Sequence, residues 1–173
     1  TTIVSNNSNF VKGKPGEPVL VSWDDARTLF HEFGHALHGL CSSVQYPFLS
    51  GTNVARDYVE FPSQILENWL PTTEVLNKFA VHHKTGKPIP KKILEKIERS
   101  SKFNQGFATV EYLSSALVDM KAHLAGDAPI DAAAFERDTL SAIGMPREIV
   151  MRHRMPHFQP LFAGDGYSAG YYS

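Results

Sequence analysis

Apolar residues recur at helical spacing along most of the chain, and the clearest run lies between Ala26 and Leu40. No proline interrupts this run, and its large apolar side chains fall three or four positions apart, which predicts one buried helix. Ser22 and Asp25 precede it with the spacing of a capping box in which Asp takes the place of Glu. We therefore expect a helix that starts after Ser22 and reaches about Leu40.

The same reasoning predicts further helices, separated by prolines and glycines. The expected ranges are about 54–70, 73–83, 90–101 and 104–124, then a helix capped by Asp131 and ended by Gly144, and a short one opened by Pro146. Pro62 is expected to kink the first of these helices or to start a new turn. Residues 19–21 are the one candidate for a short strand. The predicted fold class is mainly α.

The composition is typical of a globular protein and gives no sign of a nucleic-acid-binding or membrane protein. The chain has 173 residues, of which 42% are hydrophobic and 20% charged, so a globular core can form. The net charge of -1 gives no reason to expect a nucleic-acid or membrane partner. Cys41 is the only cysteine, which excludes an internal disulfide and is typical of a reducing compartment. With no apolar run of membrane-spanning length, a cytoplasmic location is expected.

The strongest chemical signal is the segment His31-Glu32-Phe33-Gly34-His35 on the first predicted helix. Residues four apart share one helix face, so both imidazoles can bind the same zinc ion. Glu32 lies beside them and can act as a base towards a water molecule on the metal. The alternative is a buried histidine pair held by hydrogen bonds.

A catalytic zinc usually has three protein ligands and one open position. The metzincin pattern requires Gly at position 38 and His at 41, and the chain has His38 and Cys41 there, so that class is excluded. Cys41 lies too far along the same helix to be a good third ligand. Glu60, on the next predicted helix, is a better candidate, although spacing alone does not distinguish it from a surface acid.

The segments HEFGHALHGL and SGTNVARDYVEFPSQILENW resemble the M3 family of metallopeptidases, and the resemblance extends over nearly all of the chain. FNQGFATVEYLSSALVDM and DGYSAGYY most resemble its bacterial peptidyl-dipeptidase branch. The resemblance implies a helical, neurolysin-like zincin with one zinc ion, bound by His31, His35 and Glu60. It also implies Glu32 as the catalytic base. Family members are several times longer, so residues 1–173 are expected to be a single catalytic-core segment whose N-terminal and extreme C-terminal neighbours lie outside it.

Polar residues near Glu60 are candidates to support the ligands, since metal-bound histidines usually donate their second N–H to a carboxylate or carbonyl. Asp57, Gln64 and Glu67 share roughly one helix side with Glu60. They could equally be solvated polar groups.

The tail from Phe158 is rich in glycine and tyrosine, which suits a flexible loop that presents phenol donors. The resemblance implies substrate binding and oxyanion stabilisation by Tyr167 and Tyr171. The family has a histidine where this chain has Pro160, so either His157 replaces it or that contact is lost.

A basic group precedes that tail. Arg152, His153 and Arg154 could bind the C-terminal carboxylate of a substrate, with Arg154 the preferred contact, or could form a solvated turn.

The expected function is zinc-dependent hydrolysis of short peptides, releasing C-terminal dipeptides, by an enzyme that is monomeric at full length. An endopeptidase of the oligopeptidase A type and an inactive zinc-binding fragment are the alternatives. A purely structural zinc is disfavoured, because such sites usually have four ligands rich in cysteine.

Overall fold

Helices supply the regular structure of the protein in a computed structural model that describes residues 2–164 and 166–173. The helices, in chain order, are α1 (Trp23–Leu40), α2 (Arg56–Val59), α3 (Phe61–Glu67), α4 (Thr73–Phe79), α5 (Lys91–Ser101), α6 (Gln105–Leu124) and α7 (Ala132–Ala142). Short 3-10 turns cover Pro47–Leu49 and Gln159–Leu161. The prediction of a mainly α fold is confirmed.

The chain folds as two compact units, residues 1–94 and 95–173. In the first unit α1 packs along α3. The α1 cap forms as expected: the Ser22 Oγ accepts from the Asp25 N–H at 3.0 Å, and the Asp25 carboxylate accepts from the Ser22 N–H at 2.9 Å. These two bonds satisfy backbone donors that the first turn of a helix leaves unpaired, and so fix where α1 begins.

A glycine sets how closely α1 approaches α3. A Cβ placed on Gly34 would lie 2.5 Å from the Ser63 Cα and 2.7 Å from the Pro62 carbonyl oxygen. Any side chain at position 34 would therefore push the two helices apart. The close contact places the middle of α1 directly against the first turn of α3.

In the second unit α6 packs against α7 and a following loop. The buried apolar cluster comprises Val118 and Ala122 of α6 with Met151 and Met155, which follow α7. The Asp131 carboxylate caps α7 by accepting from the Ala134 N–H at 2.9 Å, as predicted. Among residues 2–164 and 166–173, no helix is long and apolar enough to cross a membrane.

The expected helix over 54–70 divides into α2 and α3 at Glu60, in line with the expected new turn at Pro62. Pro62 lies in the first turn of α3 and cannot continue a helix from α2. Two other local predictions were wrong. Residues 19–21 form no strand, since they find no partner segment. Pro146 opens a turn and not a helix.

Candidate metal centre

His31 and His35 lie one turn apart on α1 and face the junction between α2 and α3, where Glu60 lies. One ligand atom from each of these three residues falls within 4.8 Å of the others. All three side chains are largely withdrawn from solvent, with 25%, 20% and 15% of His31, His35 and Glu60 exposed. The three residues predicted as metal ligands are thus brought together by the fold.

The spacing of the three donor atoms suits a small divalent ion. The Glu60 Oε2 lies 3.2 Å from the His31 Nε2 and 3.2 Å from the His35 Nε2. A tetrahedral zinc ion with bonds of about 2.0–2.1 Å holds neighbouring ligand atoms about 3.3–3.4 Å apart. Two imidazole nitrogens and a carboxylate oxygen are also a ligand set that zinc commonly has in catalytic sites.

The protonation of His31 gives a second reason to expect a cation here. Its Nδ1 lies 2.7 Å from the Glu67 Oε1, and an ionised carboxylate only accepts, so Nδ1 carries the proton of that bond. In the neutral imidazole, Nε2 then presents a lone pair towards the Glu60 Oε2. Two such acceptors repel each other unless a proton or a metal ion lies between them. The residues present therefore fit a bound zinc ion.

Glu67 fixes the orientation of the His31 ring and is itself held. The Arg27 Nε, one turn before His31 on α1, donates to the Glu67 Oε2, so the carboxylate bridges a guanidinium and an imidazole. Only 14% of the Glu67 side chain is exposed, and a charge in that setting needs such partners. Metal-bound histidines are commonly oriented by a carboxylate in this way.

Ser63, in the first turn of α3, contacts both the backbone and the carboxylate of Glu60. Its hydroxyl lies 2.8 Å from the Glu60 carbonyl oxygen and 3.0 Å from the Glu60 Oε2, and its side chain is fully buried in the α1–α3 contact. The single hydroxyl proton is shared between the two acceptors. Ser63 therefore limits how far the Glu60 carboxylate can turn away from the two histidines.

Glu32 stands next to His31 on α1 and is partly buried. Among the described residues, its carboxylate has no hydrogen-bond or ion-pair partner. It is therefore free to accept a proton beside the ligand cluster.

The other polar residues predicted to support the ligands are placed differently. The Asp57 and Gln64 side chains are exposed, and neither has a hydrogen bond to His31, His35 or Glu60 among the described residues. His38 packs edge-on against the Tyr58 ring, with centroids 5.9 Å apart. Of the predicted set, Glu67 is the residue that contacts a histidine of the cluster.

The predicted substrate-binding residues all belong to the second unit. Tyr171 lies in an aromatic cluster with Tyr112, His153 and Phe158, each 5.5 Å from it between ring centroids. Burial, reinforced by the neighbouring Tyr112, raises the pKa of the Tyr171 phenol from 10.0, against a smaller opposing effect of Arg152. Its hydroxyl therefore keeps its proton through the neutral range.

The remaining candidates of that unit lie at its surface. Tyr167 and His157 are exposed. The Arg154 Nε donates to the buried Glu136 carboxylate at 2.7 Å, so part of this guanidinium serves the fold. Burial, with a smaller effect of the Arg152 charge, lowers the pKa of His153 from 6.5, which favours its neutral ring.

Sequence reasoning missed Arg27 and Ser63. Arg27 lies four residues before His31 and Ser63 three after Glu60, so the spacing of residues that share a helix face was the available signal. Arginine and serine are not metal ligands in their own right, so a search for metal ligands does not point to them.

Comparison with known proteins agrees with this geometry. The sequence model of peptidase family M3 matches residues 1–173. The chain is 43% identical to the dipeptidyl carboxypeptidase of Escherichia coli K12 over 99% of its length, which covers 25% of that protein. It is 36% identical to oligopeptidase A of the same strain over 95% of its length, again 25% of that protein. It is 35% identical to a mitochondrial intermediate peptidase 2 of Cryptococcus neoformans over 91% of its length and 19% of that protein. The chain spans between about a fifth and a quarter of the length of these relatives, and it belongs to peptidase family M3.

Proposed function

We propose that residues 1–173 are the catalytic-core segment of a zinc-dependent peptidase that removes dipeptides from the C-terminus of short, unfolded peptides. The observation that carries the proposal is the cluster of His31, His35 and Glu60, whose donor atoms have the spacing of zinc ligands. Similarity to a dipeptidyl carboxypeptidase over 99% of the chain supports the choice of substrate.

The positions of the chain's own residues support the following roles. His31, His35 and Glu60 would hold one zinc ion, while Glu67 and Ser63 keep His31 and Glu60 in place. Zinc bound there supplies a Lewis acid that lowers the pKa of a water molecule and polarises the scissile carbonyl.

Glu32 is the proposed proton carrier. With no competing partner among the described residues, its carboxylate would take a proton from the attacking water and pass it to the leaving amine. Such proton transfer by a positioned side chain typically contributes about 10²–10⁴-fold to the rate.

The resemblance to family M3 supports roles in substrate binding for two tyrosines near the end of the chain. Tyr171, and with it Tyr167, would donate a phenol O–H to the oxyanion that forms as the carbonyl is attacked. Arg154 and His157 would bind the free C-terminal carboxylate. Arg154 has further N–H donors besides the one it gives to Glu136, so it can serve both.

The test is hydrolysis of a peptide with a free C-terminus by the zinc-loaded chain. Glu32→Gln keeps the size and hydrogen bonding of the side chain but removes the base, so we expect zinc to remain bound and turnover to fall at least about 100-fold. Undiminished hydrolysis by Glu32→Gln would refute the proposed role of Glu32. Failure of the unmodified chain to bind zinc would refute the metal site itself.

Two further outcomes correspond to the other candidate functions. Similarity to oligopeptidase A favours internal cleavage, and equal cleavage of peptides with free and amidated C-termini would support it. Because the chain covers about a quarter of its relatives, zinc binding without hydrolysis would identify a segment that is inactive by itself. Cytoplasmic location and a monomeric full-length enzyme stay predictions from the sequence.

A further inference from the structure

Asp119 is a charged residue in the interior of the second unit that the chemistry described above does not use. It lies on α6, and only 1% of the residue is exposed. A buried carboxylate is costly unless several donors surround it. The Asp119 carboxylate accepts from two backbone N–H groups, those of Ala169 and Tyr171, and the imidazole of His123 lies beside it.

The two backbone bonds hold the turn that contains Tyr171. The Ala169 N–H lies 3.0 Å from the Asp119 Oδ1, and the Tyr171 N–H lies 3.1 Å from its Oδ2. Ala169 has a φ of 52°, a left-handed conformation that costs a residue with a Cβ roughly 1–2 kcal/mol. The bonds to Asp119 stabilise the turn in spite of this strain.

A second residue of α6 holds the other side of Tyr171. The Tyr112 hydroxyl donates to the Tyr171 carbonyl oxygen at 2.7 Å. Tyr112 and Asp119 are seven positions apart, which places them two turns apart on one helix face. One face of α6 therefore binds both the N–H and the C=O of Tyr171.

The ring of Tyr171 is confined as well. Phe158 and His153 stack on each other 4.0 Å apart and meet the Tyr171 ring edge-on, at 81° and 84°. The Tyr112 ring lies on a further side at 5.5 Å. With its backbone held by α6 and its ring enclosed, the phenol has a restricted range of directions.

His123 completes the surroundings of Asp119. Its Nδ1 lies 2.9 Å from the Asp119 Oδ1, and its ring stacks on Phe162 with centroids 5.6 Å apart. The same Nδ1 lies 2.9 Å from the Asp119 backbone carbonyl oxygen. The imidazole therefore lies against both the backbone and the carboxylate of Asp119, whose two oxygens accept from Ala169 and Tyr171.

We propose that Asp119, together with Tyr112, is a positioning residue that fixes the Tyr171 backbone and thereby the direction of its phenol hydroxyl. The inference rests on the proposed function for its catalytic consequence, because Tyr171 is there the oxyanion donor. Asp119 touches no reacting atom itself and acts only through Tyr171.

The test compares Asp119→Asn with Asp138→Asn, a matched change at an exposed carboxylate of α7. In Asp119→Asn we expect faster hydrogen exchange at the Ala169 and Tyr171 amides, and a Tyr171 pKa that returns towards 10.0, followed by NMR of labelled tyrosine. We expect kcat to fall roughly 10-fold while KM and zinc content stay unchanged, because a misdirected donor weakens only transition-state binding. Asp138→Asn should match the unmodified protein in every respect.

Two further variants, Tyr112→Phe and Tyr171→Phe, distinguish a failure of the positioning role from a failure of the proposed oxyanion role. Tyr112→Phe removes one hydroxyl from a partly exposed ring, so it carries the same test if Asp119→Asn does not fold. Combined with Tyr171→Phe, Asp119→Asn should cause no further loss of kcat, since both act on one donor. Full turnover by Tyr171→Phe would refute the oxyanion assignment in the proposed function. Unchanged amide exchange at Ala169 and Tyr171 in both Asp119→Asn and Tyr112→Phe would overturn the positioning role.

Discussion

Replacing Gly34 by alanine is expected to disrupt the metal centre without changing any residue that contacts the metal. In an isolated helix, alanine is more favourable than glycine by about 1 kcal/mol. Here the new Cβ would lie 2.5 Å from the Ser63 Cα and 2.7 Å from the Pro62 carbonyl, where ordinary contacts begin at 3.4 Å. Both neighbours are backbone atoms, so the clash can be relieved only by moving α3 away from α1.

The required displacement can be compared with what the metal tolerates. The shortest contact must lengthen by 0.9 Å, the difference between 2.5 and 3.4 Å. Zinc–ligand distances are held within about 0.2 Å in good sites, so Glu60, which moves with α3, would leave the ion. Overpacking costs about 1–3 kcal/mol, which outweighs the gain in helix propensity. We therefore expect a net loss of stability and zinc binding weaker by about 10- to 100-fold.

Zinc affinity is measured by competition with a chelator, and stability by thermal unfolding with and without zinc. Gly106→Ala is the matched control, because Gly106 lies in the first turn of α6 and its Cβ would meet nothing within 4 Å. The control should bind zinc normally and unfold at an equal or higher temperature. Normal zinc affinity in Gly34→Ala would show that the α1–α3 contact does not set the position of Glu60.

Three further predictions concern the surroundings of the two sites. Glu67→Gln should weaken zinc binding roughly 10-fold in chelator competition, because His31 loses a charged partner; unchanged affinity would contradict the role of Glu67. Ser63→Ala should also weaken zinc binding, by a few-fold to about 10-fold, and leave the fold of the chain intact. A zinc affinity equal to that of the unmodified chain would contradict the role of Ser63 in holding Glu60. Since burial lowers the pKa of His153, the folded state disfavours its protonation, and stability should fall as the pH drops below 6.5. In His153→Phe, the unfolding temperature should fall less between pH 7 and pH 5 than it does in the unmodified chain. An equal dependence of the unfolding temperature on pH in the two proteins would rule out His153 as the cause.

Local sequence signals were sufficient to predict the start, the length and the metal-binding face of α1. Its start follows from the bonds between Ser22 and Asp25, and its length from an apolar pattern that no proline interrupts. The placement of His31 and His35 on one face follows from helix geometry alone. These features depend on residues close together in the sequence.

The position of Glu60 depends on contacts between distant residues and could not be derived from spacing. Glu60 meets the histidines because Gly34 admits α3 to α1 and Pro62 begins α3 at that point. The sequence indicated that Pro62 would kink the helix or start a new turn, but it did not indicate the direction in which Glu60 would then point. The family resemblance, and not periodicity, pointed to this residue.

Asp119 was missed for a related reason. It lies next to Val118 on α6, and a single acid in a helix is usually solvated. Its backbone partners lie 50 and 52 residues away, at Ala169 and Tyr171, where nothing in the local pattern indicates a need for an acceptor.

X-ray absorption at the zinc edge, with the metal content of the purified chain, tests the metal centre most directly. We expect one zinc ion per chain, with two imidazole nitrogens and one carboxylate oxygen at about 2.0–2.1 Å and one oxygen from solvent. His35→Ala should remove one imidazole from that spectrum. A sulfur ligand from Cys41, or an unchanged spectrum after His35→Ala, would show that the metal is bound elsewhere.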